Sequence, residues 1–417
     1  MLPPHISEAL PQGQGFLRSY VEYAAQCGDA PEIYHVGVAL TVLAGAIGKK
    51  LQCPYTSGSM LVPNLYTLLI GGSRVGRKTS SMDTGVKLLG QANPESVMPI
   101  PGSYEELISQ IRATPAGLLT YREFGHFLKT TQRGYGEPIR TVLMDLFDWP
   151  TDRAYVRNLK KGKTVVEPPI CLSMISTCST DLLYSYSDTE EWTGGFFGRM
   201  LLLYGDRDMF RMPQVWTSAR DYLVQQLHQF VHAMIPDCAG FHPYAWQEFE
   251  RWSRWRDSTA RDFPDRVQSH VGGAPTLAAK IALLYAADAG EPTGHGWAIS
   301  LESIRRAILF VENLYLPSVK HLGEKLALGF WEKDRAKVLN VIESRPAGVY
   351  QQEVLKRAKV SLELCEQVTT TLKAEGTIVQ IQGAKGIMYR KRPDGEQPQL
   401  RLVPPSIGTP PDQQGTP

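Results

Sequence analysis

The sequence predicts a mixed α/β chain: a central sheet domain flanked by helices, followed by a small module of helices and a hairpin. Three observations predict it. From Asn64 to about Asp208, the short apolar runs "LYTLLIG", "AGLLTYRE", "PPICLSMIST" and "GRMLLLYGD" alternate with helical patterns such as "SYEELISQI" and "PIRTVLMDLFDW". From Ser218 to Trp331 the apolar residues recur instead at three- and four-residue intervals, as in "PTLAAKIALLYAADAG". From about Asp334, three short amphipathic patterns run into "TIVQIQGAKGIMYRKR", two β-rich runs around a glycine turn.

These changes of texture set the expected boundaries. Residues 1–50 carry helical spacing ("FLRSYVEYAAQC", "YHVGVALTVLAGAIG") and form an N-terminal helical segment; 51–215 form the α/β core; 216–331 form a helical lid. Residues 332–392 combine three helices with a β-ribbon, the pattern of a winged helix, and the Pro-, Gln- and Gly-rich tail 393–417 is expected to be disordered. The bulk numbers agree with a globular chain, since 43% hydrophobic and 21% charged residues over 417 positions allow two or three domains with a core each. A net charge of +2 announces no nucleic-acid partner by itself, so any basic surface must be local. The six cysteines include no C-x-x-C pair, which argues against a disulfide framework and a zinc site. The opening residues show no signal pattern and no apolar run approaches a membrane span, so a cytoplasmic protein with no membrane partner is expected.

The stretch with most chemical content is "NLYTLLIGGSRVGRKTSSM", an apolar strand entering a glycine-rich turn that opens a helix with a lysine and hydroxyls. A phosphate cradle needs glycines so that backbone N–H groups turn inward, a lysine for the β and γ phosphates, and a hydroxyl for Mg²⁺. Gly71, Gly72 and Gly76 can supply the turn, Lys78 the charge and Thr79 the hydroxyl, with Arg77 and Ser80 beside them. The spacing departs from G-x-x-x-x-G-K-[ST]: with Gly72, Lys78 and Thr79 in register, Arg77 stands where the second glycine belongs. Downstream, Glu123 ends the run "GLLTYRE", where a carboxylate can hold Mg²⁺ or polarise an attacking water, although Arg122 replaces the usual preceding aspartate. Asp145 and Asp148 read as helix-end residues. Ser176 and Thr177 end the next apolar run, where hydroxyls can cap a helix or face a ligand. Arg199 follows a glycine-rich turn and immediately precedes a strand, a position from which a guanidinium can reach a neighbouring subunit's γ-phosphate.

In this order the parts resemble the AAA+ ATPases of the helicase-like group related to the minichromosome maintenance proteins. More narrowly, they resemble the ATPase modules found beside or fused to primase-polymerase domains in phages, plasmids and integrated elements. The resemblance rests on Gly76-Arg77-Lys78, on the lone acidic strand end at Glu123 and on the "GG…GR" segment ending in Arg199, and covers roughly Tyr34 to Ala289. It implies a P-loop AAA+ core, ATP and Mg²⁺ as cofactors, Ser176 or Thr177 as a polar sensor of the γ-phosphate, Arg199 acting in trans, and a homo-hexameric ring. Its implied partners are single-stranded or forked DNA and a primase-polymerase. Ring helicases of this group carry a hairpin just before the sensor strand that points into the central pore.

Here "AYVRNLKKGKTVVEPP" reads as two short strands joined at Lys160-Lys161-Gly162-Lys163, with Arg153 and Arg157 nearby. Lysines at such a tip suit sequence-independent phosphate contacts, or simply solubilise it. In the winged-helix module, "SLELCEQVTTTLKAEG" is the candidate recognition helix and Lys385, Arg390, Lys391 and Arg392 lie on or near the wing. DNA binding and protein binding are both open to that module. The missing aspartate and displaced glycine also leave open an ATP-switched DNA-binding initiator that does not unwind processively.

Overall fold

The computed structural model describes residues 2–392 except 57–58, 74–75, 132–136, 160–161, 188–191, 193–194, 207–209, 211–216, 237, 292–295 and 385. It divides into two units, Met1–Ala327 and Leu328–Pro417. In the first, α1 (Pro4–Ala9), α2 (Phe16–Cys27) and α3 (Glu32–Ile47) lead to a hairpin of β1 (Cys53–Thr56) and β2 (Ser59–Leu61). Every residue of α3 from Tyr34 to Ile47 is buried, because α3 lies across the central sheet with α2 and α4 (Lys78–Ala92) against its other sides. A helix enclosed all round is apolar all round. It approaches the sheet closely: a Cβ on Gly37 would stand 2.3 Å from Leu203 Cδ1.

The central sheet holds five parallel strands: β3 (Tyr66–Gly71), β4 (Val97–Met98), β5 (Ala116–Tyr121), β8 (Cys171–Ser179) and β9 (Met200–Tyr204), in the order β4-β5-β8-β3-β9. The chain is thus a mixed α/β protein, with strands buried on both faces and correspondingly continuous in apolar sequence. Four of these strands are the four runs read from the sequence. The fifth, β4, is a two-residue edge strand, too short to carry a period.

Between the strands lie α5 (Tyr104–Ala113), α6 (Phe124–Thr131), α7 (Glu137–Phe147), the hairpin β6 (Tyr155–Leu159) and β7 (Gly162–Val166), α8 (Thr180–Tyr186) and the short α9 (Gly195–Gly198). After β9 come α10 (Thr217–His232), β10 (Cys238–Phe241), α11 (Pro243–Thr259), α12 (Asp265–Asp288), β11 (Trp297–Ile299) and α13 (Leu301–Phe310). The sequence reads 218–331 as helical throughout, whereas β10 and β11 pair in parallel within it. Runs of three or four residues cannot show a two-residue alternation against helical surroundings. A π-helical turn, Val311–Tyr315, joins α13 to α14 (Leu316–Glu343), and the boundary between the units falls inside α14.

The second unit contains β12 (Val349–Tyr350), α15 (Gln351–Ala358), α16 (Leu362–Ala374), β13 (Ile378–Gly383) and β14 (Gly386–Lys391), with sheet order β12-β14-β13. Its core gathers Val338, Ile342, Val354, Val368, Leu372, Ile378 and Tyr389. The tail 393–417 lies outside the described residues. No helix among the described residues is long and apolar enough to cross a membrane.

Candidate functional site

Because β3, β5 and β8 are parallel neighbours, their carboxyl ends open on one edge, where ligands of open α/β sheets bind. The loop after β3 starts there. Tyr34 Oη lies 2.6 Å from both the Ile70 and Gly205 carbonyl oxygens, its one proton shared between them, and so ties the ends of β3 and β9 together. This clamp demands glycine at 71, since a Cβ would come within 2.3 Å of Tyr34 Oη. Farther along, the Gly76 N–H faces the Gly72 carbonyl at 3.5 Å.

Among the described residues of the loop, Arg77 is the left-handed one, at φ 51° and ψ 23°, immediately before α4. A non-glycine residue there costs about 1 kcal/mol or more. Its side chain leaves the loop, with Nε donating to Asp29 Oδ1 at 3.2 Å. Beside this pair is a cavity of about 270 Å³ lined by Asp29, His35, Arg77, Ser80, Ser81 and Thr84.

Lys78 is the first residue of α4 and only 8% exposed. Its Nζ donates to the Gly71 carbonyl at 3.0 Å and the Gly72 carbonyl at 2.7 Å. Burial lowers its pKa below the ordinary lysine value, and the Glu123 carboxylate works against that shift. Thr79 Oγ1 lies 3.4 Å from Thr177 Oγ1 at the end of β8. The Thr177 hydroxyl donates to the Arg122 carbonyl, and Ser176 Oγ donates to the Tyr121 carbonyl at 2.6 Å, which fastens β8 to β5.

Glu123 sits just before α6, its Oε1 accepting from the Gly125 N–H at 3.5 Å. Arg122 is drawn aside by Asp83 of α4, at 2.7 Å. Cys178 follows Thr177, and burial, then Glu123, pushes its thiol pKa up. The structure thus brings Gly71, Gly72, Gly76, Lys78, Thr79, Thr177 and Glu123 to one edge. Sequence reasoning missed Tyr34, Asp29 and Cys178. Only Tyr34, a polar ring inside an apolar helical run, left any signal.

Arg199 lies elsewhere in the chain's own sheet. It precedes β9, whose first residue pairs with Tyr66 at the start of β3, so it stands at the amino edge. Six residues of strand separate that edge from the loop, about 20 Å. There Arg199 Nε pairs with Asp148 Oδ2 at 2.8 Å and Nη1 donates to the Gly195 carbonyl at 2.8 Å.

In the β6–β7 hairpin, Lys163 is exposed, while Lys160 and Lys161 lie outside the described residues. Arg157 is occupied midway along β6, bonded to Asp145 and to Tyr155 Oη. Arg153 lies over the Trp149 ring. In the second unit, Lys385 lies outside the described residues, Lys391 pairs with Glu343 at 2.8 Å, and Arg390 is half-buried on β14. The exposed residues of α16 include Glu363, Glu366, Gln367 and Thr370, and none of its exposed residues is a lysine or arginine.

A divalent ion at the carboxyl edge would find the Thr79 hydroxyl and the Glu123 carboxylate. No group of three His, Cys, Asp or Glu able to hold a metal occurs among the described residues. That donor set fits Mg²⁺ carried in on phosphates, which keeps most of its ligands from phosphate and water. No protein-family model matches the chain, and no curated protein matches it in sequence.

Proposed function

We propose that this chain is a P-loop ATPase of the AAA+ kind, assembling as a hexameric ring and working as a replicative DNA helicase of mobile-element type. The observation that carries the reading is the meeting of Lys78, the amino end of α4, Thr79, Thr177 and Glu123 at one carboxyl edge. A buried ammonium and a helix amino terminus attract a phosphate chain, a carboxylate can take a proton from water, and hydroxyls can orient both. Lys78 would exchange the Gly71 and Gly72 carbonyls for β- and γ-phosphate oxygens. Mg²⁺ bound with the nucleotide supplies neutralisation of the β- and γ-phosphate charge. Glu123 would orient and deprotonate the attacking water, with Ser176 or Thr177 registering the γ-phosphate through strand β8. The cavity beside Arg77 leaves room for the rest of the nucleotide.

Arg199 is too far from its own loop to serve it, which supports a role on a neighbouring copy's nucleotide. Traction on DNA would come from the β6–β7 hairpin through Lys160, Lys161 and Lys163. The acidic exposed face of α16 favours protein contact over phosphate contact for the winged-helix module. Lys78→Ala should abolish ATP hydrolysis and displacement of a strand from forked DNA without unfolding the chain; equal rates in variant and wild type would refute the ATPase reading.

One observation favours the ATP-switched initiator instead. The loop retains Lys78 with its own carbonyls, and an arginine holds the strained position before it. ATP-dependent assembly on DNA without strand displacement would select that reading.

A further inference from the structure

Asp148, just past the end of α7, forms part of the walls of two cavities at the amino edge. One, about 230 Å³, is lined by Gly195, Arg199, Ser269 and Thr276 together with Asp148. The other, about 330 Å³, is lined by Tyr55, Trp149, Thr276 and Lys280 together with Asp148. The carboxylate therefore shares one cavity wall with Arg199 and another with Lys280. It is paired with Arg199 at 2.8 Å, and both side chains reach solvent, at 33% for Arg199 and 50% for Asp148.

Lys280 is the anomaly. It sits on α12 inside the apolar run "AAKIALLYAA", 3% exposed, and among the described residues it forms no ion pair. Its Nζ donates to Asn64 Oδ1 and lies 4.2 Å from the centre of the Phe147 ring, while Asn64 Nδ2 donates to the Phe147 carbonyl at 3.1 Å. A buried ammonium with one neutral acceptor and an aromatic face is poorly compensated. Burial lowers its pKa to about 8, and Asp148 is the foremost group opposing that shift. A carboxylate moving to Lys280 would therefore gain more than one left in water.

We propose that Asp148 is a two-position latch, holding Arg199 in the free subunit and passing to Lys280 when a neighbouring copy's phosphates draw Arg199 away. The inference rests on the in-trans reading of Arg199 given above. Lys280 then acts as a positioning residue: it lowers the cost of releasing Arg199 without touching nucleotide. No covalent chemistry is involved, only an exchange of ion-pair partners across the shared wall.

The test is a pair of variants with two readouts. Lys280→Met keeps the volume of the buried stem and removes the second partner. Asp148 then keeps Arg199, and turnover of the assembled protein should fall about tenfold with nucleotide affinity unchanged. Adding Asp148→Asn to Lys280→Met removes the latch altogether and should restore turnover to the wild-type level. If Lys280 is merely structural, the double variant is no faster than Lys280→Met, and the proposal is overturned.

The second readout needs no ATPase activity: the titration of the Lys280 ammonium followed by NMR of labelled lysine. Asp148→Asn should lower its pKa, and Arg199→Ala should raise it, because the freed carboxylate swings across. A Lys280 titration unmoved by Arg199→Ala overturns the latch. If wild type hydrolyses no ATP, the ATPase reading fails, while the titration still decides the latch.

Discussion

The sheet holds a buried lysine near each edge, and the two are satisfied in different ways. At the carboxyl edge, Lys78 bonds to backbone carbonyls of its own loop, and Ser176 and Thr177 likewise spend their protons on carbonyls of the adjoining β5 segment. At the amino edge, side chains also hold side chains: Arg199 pairs with Asp148 besides donating to the Gly195 carbonyl, and Lys280 donates to Asn64. A carbonyl given up to water costs little, so an incoming anion can claim Lys78 by displacing neutral acceptors. A guanidinium held by a carboxylate must be exchanged for another anion, and the carboxylate left behind needs a new partner. On the proposed reading, the carboxyl edge would open to a ligand and the amino edge would trade partners.

The sharpest way to break this contrast is at Arg199. Arg199→Ala should leave nucleotide binding intact and reduce turnover by about a thousandfold or more, as expected for charge removed from a phosphoryl-transfer transition state. Mixed with Lys78→Ala protein, it should regain part of the activity through interfaces that pair an intact loop with an intact arginine. Dead mixtures with verified co-assembly would show that the two edges do not meet across subunits.

Lys280 sharpens the contrast through pH. Its pKa lies near 8 in the fold and at about 10.4 in the unfolded chain, so between these values the unfolded chain holds a proton that the native state has released. Stability from this group therefore rises with pH across that window, by about 3 kcal/mol in all. Urea unfolding of wild type should gain this much relative to Lys280→Met between pH 8 and 10.5. A constant difference would mean that Lys280 is already compensated.

Glu123→Gln addresses the carboxyl edge. ATP binding should persist while hydrolysis slows about a hundredfold, the usual contribution of a general base. Loss of binding together with hydrolysis would make Glu123 a metal-holding or structural group.

The smallest expected effect concerns the strain before Lys78. Arg77→Gly and Arg77→Ala both lose the Asp29 pair, but only glycine relaxes at positive φ, so the glycine variant should be more stable by about 1 kcal/mol. Equal denaturant midpoints would show that position 77 leaves the left-handed region when its side chain is shortened.

How much of this was legible depended on how far apart in sequence the deciding residues lie. The loop, its lysine and its helix are contiguous from Tyr66 to Ala92, so strand, turn and helix start could be read in one pass. Even there, among the described residues of the loop, the left-handed position falls on Arg77, whose side chain meets Asp29, distant in sequence. Asp148 was readable as a helix-end carboxylate, yet its pairing with Arg199 spans 51 positions. Lys280 gave no sign at all, since a lysine in an apolar run is indistinguishable from one that reaches solvent at a helix edge.

The sequence by itself determined the alternation that makes a mixed α/β chain, the local order of strand, glycine turn and helix from Tyr66 to Ala92, and the start of a smaller second unit near residue 330. Those features are set by periodicity and turn chemistry within a few residues of each other. The tertiary structure alone decided that β8 lies between β3 and β5, which brings Thr177 against Thr79 of α4 and the Arg122 carbonyl beside Glu123. It alone placed Arg199 at the opposite edge, paired with Asp148, which lines a second cavity together with a buried lysine. Strand order and the walls of cavities arise from packing between segments far apart in the chain, and no local pattern encodes them.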